Sequence, residues 1–373
     1  MRIGIEAQRI FRSEKHGMDF VILEVLRQLQ LKNDEHEYFV FVAPGEDHCL
    51  RDTSRIHIIE IACPTYLLWE QWALPRAAHK WKIELLHCTS NTAPIYCSIP
   101  LVLTLHDIIF LQFSKSKEMS RYQQMGWYYR RWNVPRILNR CHQILTVSNT
   151  EKTNILQHFP ELQEHLTVVH NGYSSCYQLI ENISHITQKY IADSQYLLFL
   201  GSTDPRKNTD GVLHAYYEYL NCSKRQLKLI VTGLSKEYVE NRLIDMGLKI
   251  KMSNFVFTGY VPSSDLPALY NGAYAFLFPS LLEGFGIPVL EAMACGTPVI
   301  TSNCSSLPEV AGEGAILVSP TDIHAIADAL VHLETDETWY QQQVTYGLEH
   351  IKQFSWKSTA EKYVAIYDKI LQS

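Results

Sequence analysis

The chain has 373 residues, of which 46% are apolar and 19% charged, and a formal net charge of −6. This composition describes a globular chain rather than a disordered one, long enough for two domains with separate cores. The acidic balance argues against general nucleic-acid binding but leaves room for a local basic patch.

At the N-terminus Met1-Arg2 runs straight into IGIEAQRI, without the apolar h-region of a secretory signal. In the first half, apolar runs at Ile3–Ala7, Tyr38–Val42, Ile56–Ile61, Leu85–Cys88, Leu101–Leu105, Ile144–Val147 and Thr167–Val169 read as strands alternating with helical patterns. Such runs argue for a parallel sheet covered by helices on both faces. Two segments interleave aromatics with Arg and Lys: Tyr66–Lys82 (YLLWEQWALPRAAHKWK) and Arg121–Arg140 (RYQQMGWYYRRWNVPRILNR). They read either as amphipathic helices with Trp and Tyr in the core, the favoured reading, or as an interfacial anchor. LTLHDIIF places His106-Asp107 just beyond a buried strand. A lone His is more often simply packed, but the strand-end position favours function here, with Asp107 orienting the loop or His106. TVVHNGY ends in the turn-forming pair Asn171-Gly172, and the polar stretch from Tyr173 to Ser194 is the expected boundary. The expected domains are residues 1–180 and 190–355.

The second-half strands are expected at Tyr196–Leu200, Leu227–Val231, Phe255–Thr258, Tyr274–Phe278, Pro298–Thr301 and Ala315–Val318. In LLFLGSTDPRKN a strand ends at Gly201, a turn follows at Asp204-Pro205, and helical spacing resumes near Gly211. Arg206 and Lys207 therefore lie outside the carboxyl end of a strand, and a guanidinium fork and an ammonium both suit a diphosphate. FLFPSLLEGFGIPVLEAMACGTPVI, residues 276–300, reads as a buried strand, a loop through Gly284, Phe285 and Gly286, then a helix from near Ile287 with Pro288 in its first turn. Glu283 in the loop and Glu291 in the helix would flank a helix N-terminus, which favours phosphate, while carboxylates accept hydroxyl protons. That combination suits a sugar nucleotide. SSLPEVAG contains Ser306-x-x-Glu309, a capping box. From Trp356, residues Ala360, Tyr363, Val364, Tyr367 and Leu371 mark one face of a final helix, 356–373.

No run approaches the ~20 apolar residues that span a bilayer. The nine scattered cysteines read as reduced thiols, so the expected location is cytoplasmic, with peripheral contact at the inner membrane face if the aromatic segments anchor. The sequence lacks an Asp-x-Asp pair or a metal-ligand spacing of His, so no metal is expected.

The Glu283-x7-Glu291 run, with EAMACGTPVI behind it, resembles the signature of retaining glycosyltransferases of family 4, and the likeness extends over nearly the whole chain. The resemblance implies the GT-B fold: α/β, with two doubly wound Rossmann-like domains facing a cleft and a C-terminal helix crossing back to the first, acceptor-binding domain. It implies that Glu283 contacts the donor sugar, Glu291 the ribose, and Lys207 the diphosphate. Ser202 stands where many members carry Arg, and Arg206 is taken as its substitute. His106 would lie beside the sugar, and the backbone N–H of Gly17 in FRSEKHGMDF would approach the phosphates, unless Gly17 only serves the turn before a helix near Met18. Asn171-Gly172 matches a linker-side position of the family. The implied activity is retaining, metal-independent transfer of a hexosyl group, best taken as mannose from GDP-mannose and otherwise from a UDP-sugar. The acceptor would be a saccharide or lipid-linked saccharide of a surface polysaccharide, with the leaving phosphate taking its proton.

A sugar-nucleotide epimerase shares this fold but would act without an acceptor. A nicotinamide-dependent oxidoreductase needs a G-x-G-x-x-G that GIEAQRIFRSEKHG lacks. A non-catalytic saccharide binder has no call for both Lys207 and Glu283.

Overall fold

A computed structural model describes residues 1–112, 121–192 and 195–372, and among these the chain forms thirteen strands in two sheets. The first sheet comprises β1 (Arg2–Glu6), β2 (Glu37–Val42), β3 (Ile56–Glu60), β4 (Leu85–Cys88), β5 (Leu101–Thr104), β6 (Gln143–Thr146) and β7 (Leu166–Val168), in the order β3-β2-β1-β4-β5-β6-β7. The second comprises β8 (Tyr196–Leu200), β9 (Leu229–Thr232), β10 (Phe255–Gly259), β11 (Ala273–Phe278), β12 (Val299–Ser302) and β13 (Ile316–Val318), in the order β10-β9-β8-β11-β12-β13. Every pairing is parallel. Each strand lies within two residues of its expected position.

The central strands are apolar because helices cover both faces, whereas Glu60, Thr167 and Leu317 in the outer strands β3, β7 and β13 are exposed. All residues of β4, β5 and β11 are buried. Leu103 and Leu277 are wholly so, each side chain contributing roughly 1.5–3 kcal/mol of burial. A carboxylate at either position would be an unpaired buried charge. In each sheet the strand order reverses once, between β1 and β4 and between β8 and β11. Loops leaving the carboxyl ends of strands at such switch points are where open α/β sheets receive ligands.

The chain divides into two compact units, residues 1–172 with 356–373, and residues 173–355. Ile180 N–H donates to Asn271 Oδ1 (2.9 Å) and Tyr177 packs edge-on against Tyr270, so residues 173–180 go with the second unit rather than the first. Residues 193 and 194, in the expected boundary stretch, lie outside the described residues. The final helix, Trp356–Gln372, belongs to the first unit and packs on the helix Gly17–Leu31. Its buried face carries Trp356, Ala360, Tyr363, Val364 and Tyr367, as the spacing predicts, while Leu371 at its end is only half-buried. The Tyr367 hydroxyl lies 2.6 Å from His87 Nδ1, and His87 Nε2 lies 2.8 Å from Thr104 Oγ1. Burial pushes the His87 pKa down to about 3, so this ring is neutral. Thr359 Oγ1 donates to the His170 carbonyl (2.8 Å), and His36 Nε2 meets Asp368 Oδ1 (2.9 Å). No described helix is long and apolar enough to cross a membrane.

Candidate active site

In the second unit two loops leave adjacent parallel strands, β8 and β11, and are bonded to one another. After β8 the chain turns at Ser202, whose Oγ accepts from Asp204 N–H (3.1 Å) and whose carbonyl accepts from Thr209 Oγ1 (2.7 Å). Asp204 caps the short turn Pro205–Lys207 by accepting from Arg206 N–H (3.0 Å), and its carboxylate also holds the Arg206 guanidinium, Nη2 to Oδ2 at 2.5 Å. Burial alone would raise the Asp204 pKa, but its bonds to Arg206 outweigh that and hold it below the usual carboxylate value. Asn208 is left-handed (φ 57°), a conformation Asn tolerates, and its Nδ2 donates to the carbonyls of Pro279 (3.0 Å) and Pro320 (2.7 Å). The Arg206 carbonyl accepts from Leu281 N–H (2.7 Å). These bonds bring Lys207 Nζ to 2.6 Å from Glu283 Oε1 and 5.0 Å from the centre of the Phe278 ring.

The loop that carries Glu283 is tied down by hydroxyls from the end of β12 and the chain just after it. Thr301 Oγ1 donates to the Phe278 carbonyl (2.8 Å) and Ser302 Oγ to that of Ser280 (2.6 Å). Ser305 Oγ accepts from Glu283 N–H (3.0 Å) and donates to the Glu283 carbonyl (2.6 Å). Ser306 Oγ lies 2.9 Å from the carbonyls of both Glu283 and Phe285. This corrects the capping-box reading. Ser306 stands at the start of the helix Leu307–Ala311, but its hydroxyl makes no cap and is spent on the glycine-rich loop.

Gly286 has φ +114°, and a Cβ there would lie 2.7 Å from Leu307 Cδ2, so backbone and packing both require glycine. It opens the helix Ile287–Ala294, with Pro288 in the first turn. One turn further in, the Glu291 carboxylate accepts from the Tyr270 hydroxyl (3.3 Å) and also faces that of Tyr177. Burial raises its pKa to about 7, against the opposing pull of the two hydroxyls. Arg206, Lys207, Glu283, Gly284, Phe285, Gly286 and Glu291 thus form one group at the carboxyl end of the second sheet.

In the first unit His106 follows β5 and is buried. Its N–H donates to Asn91 Oδ1 (2.6 Å), and its Nε2 lies 2.9 Å from the Thr89 carbonyl. A carbonyl only accepts, so Nε2 carries the proton and Nδ1 is left as an acceptor. Burial lowers the pKa and keeps the ring neutral. Asp107 Oδ1 accepts from Ile109 N–H (3.1 Å). Gly17 is the first residue of the helix Gly17–Leu31, where Asp19 Oδ2 accepts from His16 N–H (2.9 Å) and Asp19 Oδ1 pairs with Arg9 Nε (2.9 Å). A Cβ on Gly17 would meet nothing within 4 Å, so the fold itself does not demand glycine there.

Sequence reasoning passed over Glu6, Thr89 and Asn91. Glu6 ends β1, is 1% exposed, and accepts from the N–H groups of Gln8 (3.0 Å) and Thr89 (3.2 Å). A carboxylate closing an apolar strand, IGIE, was the available signal. Among the described residues no three His, Cys, Asp or Glu side chains cluster as a metal-ligand set.

Residues 16–175 match the profile of Glycosyltransferase Family 4, and residues 183–350 that of Glycosyl transferases group 1. The chain is 32% identical to O-antigen chain mannosyltransferase B of Escherichia coli over 271 residues, which is 71% of this chain and 69% of that protein. It is 30% identical to the serotype-specific mannosyltransferase WbdA of Escherichia coli over 63% of its length, a stretch that spans only 29% of WbdA. Among solved structures, Anabaena Alr3699/HepE in complex with UDP-glucose superposes with a TM-score of 0.73 at 16% identity, covering 99% of this chain and 100% of that one. At that identity the likeness is one of fold.

Proposed function

Because the chain belongs to the family 4 glycosyltransferases, we propose that it moves a hexosyl group, mannose from GDP-mannose, to a saccharide acceptor of a surface polysaccharide. The mannosyltransferase names of its bacterial relatives support the donor and acceptor class. The observation that carries the reading is the 2.6 Å approach of Lys207 Nζ to Glu283 Oε1, made by loops from two adjacent strands, beside the glycine-led helix that bears Glu291.

In this reading Lys207 and Arg206 take the charge that grows on the diphosphate as its bond to the anomeric carbon breaks. One well-placed donor of this kind is worth about 10²–10³ in turnover. Glu283 accepts hydroxyls of the sugar, ionised Glu291 accepts those of the ribose, and His106 Nδ1 accepts a further sugar hydroxyl. The acceptor oxygen bonds to the anomeric carbon on the face the diphosphate leaves, and its proton passes to the departing phosphate oxygen. That gives retention, needs no protein base, and leaves charge neutralisation to the two cations rather than a metal.

We further propose that the acceptor is lipid-linked and that the first unit works against an anionic membrane surface. The expectation of buried aromatics holds for Trp69 but not throughout. Trp72 is 55% exposed, with the Arg76 guanidinium 3.8 Å from its ring centre, and Trp132 is 44% exposed beneath Arg136. Leu67, Leu68, Met125 and Tyr128 are exposed as well. Of the Arg121–Arg140 segment, the side chains of residues 121–123 lie outside the described residues. Vesicle co-sedimentation tests this, and binding that ignores anionic lipid would count against it.

The donor assignment is tested by calorimetric titration of GDP and UDP into the protein in EDTA, followed by GDP-mannose turnover with NMR of the product anomer. GDP binding and an α-linked product from the α-linked donor are expected. A preference for UDP would overturn the donor, an inverted product the stereochemistry, and failure of both nucleotides to bind the catalytic reading as a whole.

A further inference from the structure

We propose that Asn91 is a positioning residue that fixes the place of His106, in a turn whose Thr89 carbonyl fixes the tautomer, a proposal that rests on His106 being a sugar-binding group. After β4 the chain passes through Thr89 and Asn91, and three bonds tie this turn to the end of β5. Asn91 N–H donates to the Thr104 carbonyl (3.2 Å), His106 N–H donates to Asn91 Oδ1 (2.6 Å), and His106 Nε2–H donates to the Thr89 carbonyl (2.9 Å). The same turn thus grips the histidine by its backbone and by its ring.

The backbone of Asn91 marks the turn as specialised. It is 2% exposed and left-handed, with φ +67°, a region costly for most L-residues and mildest for Asn, Asp and Gly. Only Asn and Asp combine tolerance of that conformation with a side-chain oxygen that can reach the His106 N–H. Residues held this way in a buried loop are found where position matters more than local energy.

The turn has its own anchor. Thr89 Oγ1 donates to the Glu6 carbonyl (2.7 Å), and Thr89 N–H donates to Glu6 Oε2 (3.2 Å). β1 pairs directly with β4 at the switch point of the sheet. A continuous set of bonds therefore runs from the end of β1, through the turn after β4, to the imidazole after β5. Its outcome is chemical as well as geometric. With Nε2–H committed to Thr89, the ring offers Nδ1 as an acceptor, whereas the other tautomer would offer a donor there and turn an unprotonated Nε2 toward the Thr89 carbonyl.

The test uses the full chain and follows nucleoside diphosphate release from GDP-mannose, or from UDP-glucose should the titration select UDP, with water as the acceptor. Asn91→Gly keeps the left-handed backbone and removes Oδ1, whereas Asn91→Asp keeps both. Asn91→Gly should lower kcat about ten- to a hundredfold with nucleotide affinity retained, Asn91→Asp should recover most of it, and Asn91→Gly should add no further loss to His106→Ala. Wild-type turnover in His106→Ala would overturn the reading of His106 and the proposal with it. A crippled His106→Ala beside an Asn91→Gly that turns over normally, or whose loss adds fully to it, would overturn the proposal alone. Long-range ¹H–¹⁵N spectra of the labelled wild-type protein should show His106 as the Nε2–H tautomer, and an Nδ1–H tautomer would overturn the proposal whether or not the variants fold.

Discussion

Replacing Glu291 by Gln should stabilise the ligand-free protein while weakening nucleotide binding, and pH separates the two effects. Burial beside Tyr177 and Tyr270 raises the carboxyl pKa from 4.5 to about 7. The native state therefore holds a proton that the unfolded chain has released, and the stability this group allows is full below pH 4.5 and lost as pH rises through 7. At pH 8 the cost of keeping the ionised carboxylate approaches about 3 kcal/mol at most, and Glu291→Gln removes it. Binding runs the opposite way, because only the ionised carboxylate accepts both ribose hydroxyls. With a midpoint near 7, GDP should bind about tenfold more weakly at pH 6 than at pH 8. The terminal phosphate of GDP also titrates in this range, so the Glu291 share is the part of the slope that Glu291→Gln abolishes. Calorimetry of both proteins from pH 6 to pH 8, with thermal melts at each pH, measures everything required. An identical slope in the two proteins, or a lower melting point for the variant at pH 8, would refute the reasoning.

Lys207→Ala should lower turnover by about 10²–10³, read as nucleotide release from the donor, and near-normal rates would remove the diphosphate from this loop. The two glycines should part company. Gly17→Ala should melt like the wild type, since open space surrounds the added methyl, yet bind donor more weakly, as titration would show. Gly286→Ala should lose about 1–3 kcal/mol in urea unfolding, because φ +114° and the Leu307 contact both oppose it. His87, with its pKa at about 3, lets the unfolded chain bind the extra proton between pH 3 and 6.5, so its contribution to stability falls as pH drops through that window. On going from pH 7 to pH 4.5 the wild type should lose about 2–3 kcal/mol relative to His87→Gln in urea unfolding, a comparison that cancels the opposing contribution of Glu291.

The sheets were legible because strands buried on both faces leave an unbroken apolar signal, as in LVLT and AYAFLF. Glycine and proline gave away the local geometry around Gly286, since few other residues begin a helix from a left-handed turn. The contacts that hold those loops were hidden, because a serine hydroxyl bonding a carbonyl twenty residues away leaves no periodic trace. Ser306 shows the hazard: its spacing to Glu309 fits a local motif, while its hydroxyl serves Glu283 and Phe285. The Tyr66–Lys82 segment misleads for another reason. A π-helical stretch at Trp69–Ala73 inserts a wider turn, so the regular helical period no longer tells which aromatic faces inward. The bonds from Glu6 through Thr89 to His106 join three strands and are written nowhere in a linear pattern.

The chain passes from the first unit to the second after Gly172 and returns at Trp356. On the ribosome, every residue of the second unit is therefore made before the helix that supplies Tyr367 to His87. Until that helix emerges, His87 and Thr104 lack the hydroxyls of Tyr363 and Tyr367, and the apolar flank of the helix Gly17–Leu31 lacks its cover. The second unit can mature while the first is still waiting. A nascent chain stalled between residues 173 and 355 would then carry the first sheet without the final helix of its unit, and such a species is the one on which a chaperone or a protease would act.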